Sequence, residues 1–257
     1  MATIELGGIS EGAGKNECSE MRKKMEGTLN LYREELKQLR RRNDRKPKYE
    51  KKHSLHKLAA SNLRNQGKWI NTFKRIGEVP GIRAGDEFES RAEMYVVGLH
   101  CQFDCGIDYL KEESVLATSI VDSGRYANLS SSDWFLYSGS GGNPLVNGKG
   151  EALNQKLERG NLALRNSMKA RTPVRVIRKD RLSQKFRYCG LFMVNDFKES
   201  RGTGGNIVYK FLLRKIVGDT NVNWRRRSSL LRWTSTGTGG LMLIGDTPDP
   251  ENGNVIK

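Results

Sequence analysis

Between Met21 and Leu39 the apolar residues Met25, Leu29, Tyr32, Leu36 and Leu39 return at steps of three and four, with polar and charged residues between them. That period lays one apolar stripe along a helix. The run RRRNDRKPKYEKK (40–52) follows, with eight basic residues against two acidic ones and a break at Pro47. Leu55, Leu58, Ala59 and Leu63 predict a second, shorter helix that ends near Gly67. Past Val79-Pro80-Gly81 the pattern changes to short β-rich runs separated by turns. These predict strands at AEMYVVGLH (92–100), SVLATSIV (114–121), DWFLYS (133–138), PVRVIRK (173–179), YCGLFMVNDFK (188–198) and IVYKFLLRKIV (207–217). Between the third and fourth, Leu157, Leu162, Leu164 and Met168 mark an amphipathic helix over 154–168. Many strands with few helices predict an α+β chain whose main domain is a compact, barrel-like β structure with helices outside.

The pattern divides the chain into a disordered lead (1–20), a helical basic extension (21–78), a β-rich domain (79–217) and a basic, then flexible, tail (218–257). The tail holds Arg225-Arg226-Arg227 and ends rich in Gly, Thr, Pro and Asn. No internal repeat is visible.

Charge narrows the function. Lys and Arg number 45 against 29 Asp and Glu, a formal net charge of +16 over 257 residues. Such an excess favours polyanions, of which nucleic acid is the commonest for a soluble protein. No apolar run approaches the roughly 20 residues of a spanning helix, and the first thirty residues lack a secretory stretch. The basic run 40–52 reads either as a solvated linker, or as a nuclear-import signal or phosphate-gripping arm that includes Arg40, Arg41, Arg42, Arg45 and Lys46. The four cysteines, Cys18, Cys101, Cys105 and Cys189, form no paired CxxC clusters. Cys101 and Cys105 lack a second half at finger spacing, so free thiols and no metal are expected.

Enzymatic motifs fail on inspection. GSGGNPLVNGKGE resembles a phosphate loop, but five residues separate Gly142 from Gly148 and Lys149 is followed by Gly150 rather than Ser or Thr. No Ser/His/Asp order, HExxH or paired carboxylates stand out. No cofactor is called for.

Three longer stretches carry more information. VPGIRAGDEFESRAEMYVVGLH (79–100), GIDYLKEESVLATSIVDSGRY (106–126) and QKLERGNLALRNSMKARTPVRVIR (155–178) resemble the SET- and RING-associated (SRA, or YDG) domain. The plant version in SRA–SET histone methyltransferases is the most similar. KKMEGTLNLYREE (23–35) and LAASNLRNQGKWINTFKRIGEVPG (58–81) are similar to the segment that leads into it, so the resemblance covers about residues 20–217. It implies a twisted β-barrel with flanking helices, preceded by the helical extension. It also implies a nuclear reader of double-stranded DNA that turns a 5-methylcytosine out of the stack, with chromatin proteins as further partners. By the same resemblance Tyr126 and Tyr137 sandwich the base, and stacking is worth about 1–3 kcal/mol per base. Gly124, Ser138, Gly139 and Ser140 line the pocket, offering backbone groups to the cytosine edge. Phe103, Asp104, Gly142 and Asn143 fall on the loops that reach the DNA.

The chain departs from the family at working positions. YDG reads Tyr188-Cys189-Gly190, and Arg125 replaces the second of two glycines before the first pocket tyrosine. Asn128 is nearest the place of an acidic residue that accepts from the cytosine amino group, a weakening of around 1–3 kcal/mol. Asp104 stands where plant relatives often carry a Gln that fills the gap left by the flipped base. No cysteine follows Cys189, so the Cys-rich zinc region of the methyltransferases is not expected here, nor is methyl transfer. Two binding readings remain: a methylcytosine reader, or a degenerate member that binds DNA by charge alone or serves as a protein-interaction scaffold.

Overall fold

A computed structural model describes residues 11–45, 54–111, 113–124, 129–131, 133–142, 152–202, 204–216, 233–235 and 241–243. The chain forms two compact units, Met1–Ile216 and Val217–Lys257. The first opens with helix α1 (Glu11–Asp44) and helix α2 (Leu55–Asn65). The apolar stripe does what its period predicts: Met25, Leu29, Tyr32 and Leu36 are buried, in one core with Ala59, Ala60 and Leu63 of α2. That core also takes in Val79, Phe88, Met94, Val96, Leu99, Ile177 and Tyr188. The extension is therefore built into the first unit rather than strung before it. Ion pairs reinforce the contact, Arg22 to Asp86 at 2.6 Å and Arg33 to the buried Glu93 at 2.8 Å. α1 also begins at Glu11, inside the stretch expected to be disordered. Once residues 25–36 are docked, each further helical residue adds one hydrogen bond at little entropic cost, and Lys24 pairs with Glu20 one turn back.

Residues 92–100 correct a second expectation. They form not a strand but a short helix, α3 (Arg91–Val96), which follows the two-residue strand β1 (Glu87–Phe88). The cause is local. Ser90 is an N-cap whose Oγ accepts from the Glu93 amide, while the Glu93 carboxylate accepts from the Glu89 amide. SRAE is thus a variant of the capping box. The unbroken apolarity that suggested a strand arises because Ala92, Met94, Val96, Val97 and Leu99 are all buried.

The main sheet contains β2 (Ile107–Lys111), β3 (Val115–Asp122), β4 (Leu129–Ser130), β5 (Trp134–Ser138), β6 (Val174–Lys179), β7 (Phe186–Arg201) and β8 (Ile207–Lys215). Their order is β2-β3-β6-β7-β8-β5-β4, with β1 paired to β7. Among the described residues only β3 and β6 run parallel, and helix α4 (Arg159–Ala170) lies between β5 and β6 in the chain and packs on β3, β7 and β2. Alternation along β6 splits the interior: Val174 and Val176 join one core, Ile177 the other. The first of these gathers Ile107, Ile120, Phe135, Tyr137, Phe192, Phe211 and Leu213, from β2 at one end of the sheet order to β5, next to the other end.

The sheet therefore curls, but it does not close into the expected barrel. Among the described residues no ladder joins β2 to β4. β4 is only two residues long and offers almost no edge to pair. Register shifts at Asp108/Tyr109, Val176/Ile177 and Val194/Asp196 supply the bend. In the second unit, β9 (Trp233–Ser235) pairs antiparallel with β10 (Leu241–Leu243), so part of the expected flexible tail is ordered. Arg225-Arg226-Arg227 lies outside the described residues.

Candidate nucleic-acid interface

The polypeptide leaving β5, Ser138–Gly142, is held by two buried amide side chains. Asn161, near the start of α4, accepts the Ser140 N–H through Oδ1 at 2.8 Å and donates Nδ2 to the Ser140 carbonyl at 3.0 Å. Gln155 donates to the carbonyls of Gly139 (2.7 Å) and Gly141 (3.3 Å) and accepts from the Tyr209 amide at 2.8 Å. The Gly139 N–H goes to the Tyr209 carbonyl. A Cβ on Gly139 would sit 2.7 Å from both Asn161 Oδ1 and Gln155 Oε1, so a larger residue there would push these two amides off their hydrogen bonds. The backbone groups of Gly139 and Ser140 expected to meet a cytosine edge are thus already engaged within the protein, and these residues set the loop's shape. Below them, Lys210 donates to Ser138 Oγ, and half-burial pulls its ammonium below the ordinary lysine value. Neither Gln155, Asn161 nor Lys210 is marked by sequence, since each acts across a long separation.

Tyr137 precedes this loop, buried to 3% exposure and 6.0 Å from the Phe135 ring centroid. A Cβ on Gly106 would fall 2.5 Å from the Tyr137 hydroxyl and 3.4 Å from the Val121 carbonyl. The tyrosine therefore bridges the curl from β5 to the start of β2 and the end of β3. There the chain turns at Gly124, whose φ of +72° favours glycine and whose N–H donates to Asp122 at 2.9 Å. Tyr137, Ser138, Gly139, Ser140 and Gly142 lie on one continuous segment, and Tyr137 reaches the strand that leads to Gly124. Arg125, Tyr126, Asn128, Asn143 and Lys46 lie outside the described residues.

The loop CQFDCG rests on a buried polar network. His100 meets Ser119 Oγ at 2.8 Å and the Cys105 carbonyl at 3.1 Å. A carbonyl only accepts, so Nε2 carries the proton and Nδ1 accepts from the hydroxyl. Burial pushes His100 down to about 4 and keeps it neutral. Beside it the buried Asp108 accepts from the Cys101 amide (2.9 Å) and Lys74 (2.5 Å). Burial alone would raise Asp108, but the neighbouring cations and hydrogen bonds hold it below the usual carboxylate range. Arg175 is fully buried and donates to the carbonyls of Leu99, Arg75 and Gly77, fastening the 75–77 segment to β6. Above this base, Phe103 stacks on Tyr95 at 4.5 Å between ring centroids. Asp104 is exposed and pairs with Lys57 at 2.6 Å, which offsets its charge.

Arg40, Arg41, Arg42 and Arg45 are exposed at the end of α1, with Arg40 3.3 Å from His56. A cavity of about 400 Å³ opens elsewhere in the curled sheet, lined in part by Trp134, Phe135, Arg178, Cys189, Phe192 and Lys215. Among the described residues, none of those expected in the base pocket lines it. Burial pushes the Cys189 thiol up, so it is not a thiolate. Among the described residues no cluster of His, Cys, Asp or Glu could hold a metal, and no helix is long and apolar enough to cross a membrane.

Comparison with known proteins bears on this geometry. A family model described as the SAD/SRA domain matches residues 75–219. An H3 lysine-9-specific histone-lysine N-methyltransferase of Arabidopsis thaliana, SUVH6, is 36% identical over 240 residues, covering 86% of this chain and 30% of that protein. A YDG domain-containing protein of Arabidopsis thaliana is 44% identical over 163 residues, covering 61% of this chain and 49% of that protein. The crystal structure of the SUVH5 SRA domain with methylated CHH DNA superposes with a TM-score of 0.51 at 44% identity, covering 56% of this chain and 95% of that one. This chain thus spans from under a third to about half of the length of these curated relatives.

Proposed function

Because this chain belongs to the SAD/SRA domain family, we propose that it is a non-enzymatic nuclear module that binds double-stranded DNA and reads 5-methylcytosine by turning the base out of the duplex. One observation carries the reading. A loop of small residues directly after Tyr137 is fixed by Gln155 and Asn161, in a chain 44% identical to an SRA domain whose structure is a complex with methylated DNA. Tyr126 and Tyr137 are the two stacking faces. Ser138 and Gly124 border the base, Asn128 meets its amino edge, and the other loop residues keep the space small. Unstacking and unpairing one base costs a few kcal/mol, and two aromatic faces at about 1–3 kcal/mol per base offset it. The cations of α1 and the sheet rim supply sequence-independent grip on phosphates. Chromatin is the setting in which such a module acts.

Competition binding between matched duplexes, with and without one methylcytosine, tests this across a salt series. The methylated duplex should bind several-fold more tightly at every salt concentration, and Tyr126→Ala should remove that preference while leaving the salt-sensitive component. Equal affinity for both duplexes would leave charge-driven DNA binding as the function.

A further inference from the structure

The turn between β6 and β7, KDRLSQK (179–185), is held far more firmly than an exposed turn requires. Asp180 Oδ1 accepts the amides of Leu182 (2.9 Å) and Ser183 (2.6 Å), and Gln184 Nε2 donates to the Arg181 carbonyl at 2.7 Å. The Asp180 amide closes the turn on the Lys185 carbonyl at 2.7 Å, and Gln184 takes a positive φ of 61°. The only carboxylate in the turn is therefore committed to its backbone, and those amide contacts hold it below the usual carboxylate range. What the turn presents outward is different. Leu182 is 95% exposed, the most exposed large apolar side chain among the described residues. Lys179, Arg181 and Lys185 flank it in the chain; Arg181 is exposed, Lys179 lies over the Phe186 ring at 5.8 Å, and neither Arg181 nor Lys185 pairs with a carboxylate among the described residues.

Position supplies the second observation. A Cβ on Gly124 would lie 3.9 Å from Arg181 Nε, so this guanidinium stands at the rim that leads to the candidate base pocket. An exposed apolar tip beside an exposed guanidinium matches one surface in particular. The sugar–phosphate backbone alternates an anionic phosphate with an apolar deoxyribose face.

We infer that the β6–β7 turn is a backbone clamp on the strand that carries the everted cytosine, with Arg181 on a phosphate and Leu182 against the adjacent deoxyribose. This rests on the proposed pocket for its position, though not for its chemistry. A guanidinium suits the role because its fork meets phosphate oxygens in pairs. The firm turn matters because Arg181 then needs little ordering on binding.

Fluorescence anisotropy with matched methylated and unmethylated duplexes, from low to moderate salt, tests the clamp in the full chain. Arg181→Gln should weaken the methylated complex about tenfold, and the slope of log affinity against log salt should become less negative by about 0.9, the signature of one lost phosphate contact. Leu182→Ser should weaken it several-fold without moving the slope. Both side chains are exposed, so thermal unfolding should match the parent and exclude a folding defect. An Arg181→Gln protein with an unchanged slope overturns the clamp, whatever the methyl preference of the parent. A parent with no methyl preference, whose slope nonetheless becomes less negative in Arg181→Gln, removes the base pocket and keeps the turn's phosphate contact.

Discussion

Asn161 shows how much of the site rests on single side chains that make no contact with its expected ligand. Its carboxamide satisfies both backbone groups of Ser140 and also donates to the Lys156 carbonyl. Asn161→Ala would leave buried polar groups unpaired and should cost about 1–3 kcal/mol. The check is a lower melting temperature together with faster hydrogen exchange at Ser140. Tyr137 separates stacking from packing. At 3% exposure, its truncation to Ala should cost about 3–5 kcal/mol of stability, so Tyr137→Ala lowers melting and all DNA binding together. Tyr137→Phe keeps the ring that would stack and should preserve methyl preference; a Tyr137→Ala protein that stays folded and keeps full methyl preference would remove Tyr137 from the pocket. Asn128→Asp should favour methylated over unmethylated duplex by restoring a charged acceptor, and an equal gain on both would show that position 128 misses the base edge. The resemblance named Tyr137, Ser138, Gly139, Ser140 and Gly142 from the sequence, and the structure shows them on one segment held in place from below. Gln155, Asn161 and Arg181 were not legible there, because each matters through a partner that only the folded chain brings near.

At the scale of elements, the amphipathic period of α1 was read correctly as a helix, and its role was not. A basic extension ahead of a domain suggests a removable arm, and removing residues 1–57 would then weaken binding to all DNA alike. The structure changes that expectation, because Met25, Leu29, Tyr32 and Leu36 belong to a core shared with α3 and the sheet. Deletion should instead lower the melting temperature by well over 10 °C, since several buried side chains at roughly 1.5–3 kcal/mol each lose their cover. The arm's electrostatic share is better read from Arg40, Arg41 and Arg42 changed to Gln, which should flatten the salt dependence on both duplexes and leave melting unchanged. α3 failed as a predicted strand for a related reason. A six-residue helix buried on most of its surface is too short to show an amphipathic period, and only the Ser90–Glu93 cap betrayed it. The strands β3, β5, β6, β7 and β8 were recovered, since turn residues bound each one. The failure of the sheet to close was invisible, being decided by the length of β4 and by bulges.

For the whole molecule, the +16 charge predicts DNA affinity that falls steeply with salt, with or without methylation. Stability should depend on pH through the network under the CQFDCG loop. His100 resists protonation until about pH 4 in the folded chain, against 6.5 for an ordinary histidine. Between those values the unfolded chain binds more protons, so stability drops as pH falls from about 6.5 to 4, by roughly 3 kcal/mol in total. Asp108, held low in the folded state, adds a further loss below that window. Denaturant titrations at pH 7 and 4.5 should differ accordingly, and His100→Gln should reduce the difference; identical curves for the parent would mean that His100 is not buried in its neutral form. The core that encloses α1 has a further consequence, for the order of events at the ribosome. Its stripe is synthesised by residue 36, whereas the same core is completed by Phe186 and Tyr188. At about 5–20 residues per second the stripe waits roughly 8–30 s for its last neighbours. During that interval the nascent chain displays an apolar helix flanked by cations, a ready substrate for chaperones, and a segment made well before the sheet is among the last to be enclosed.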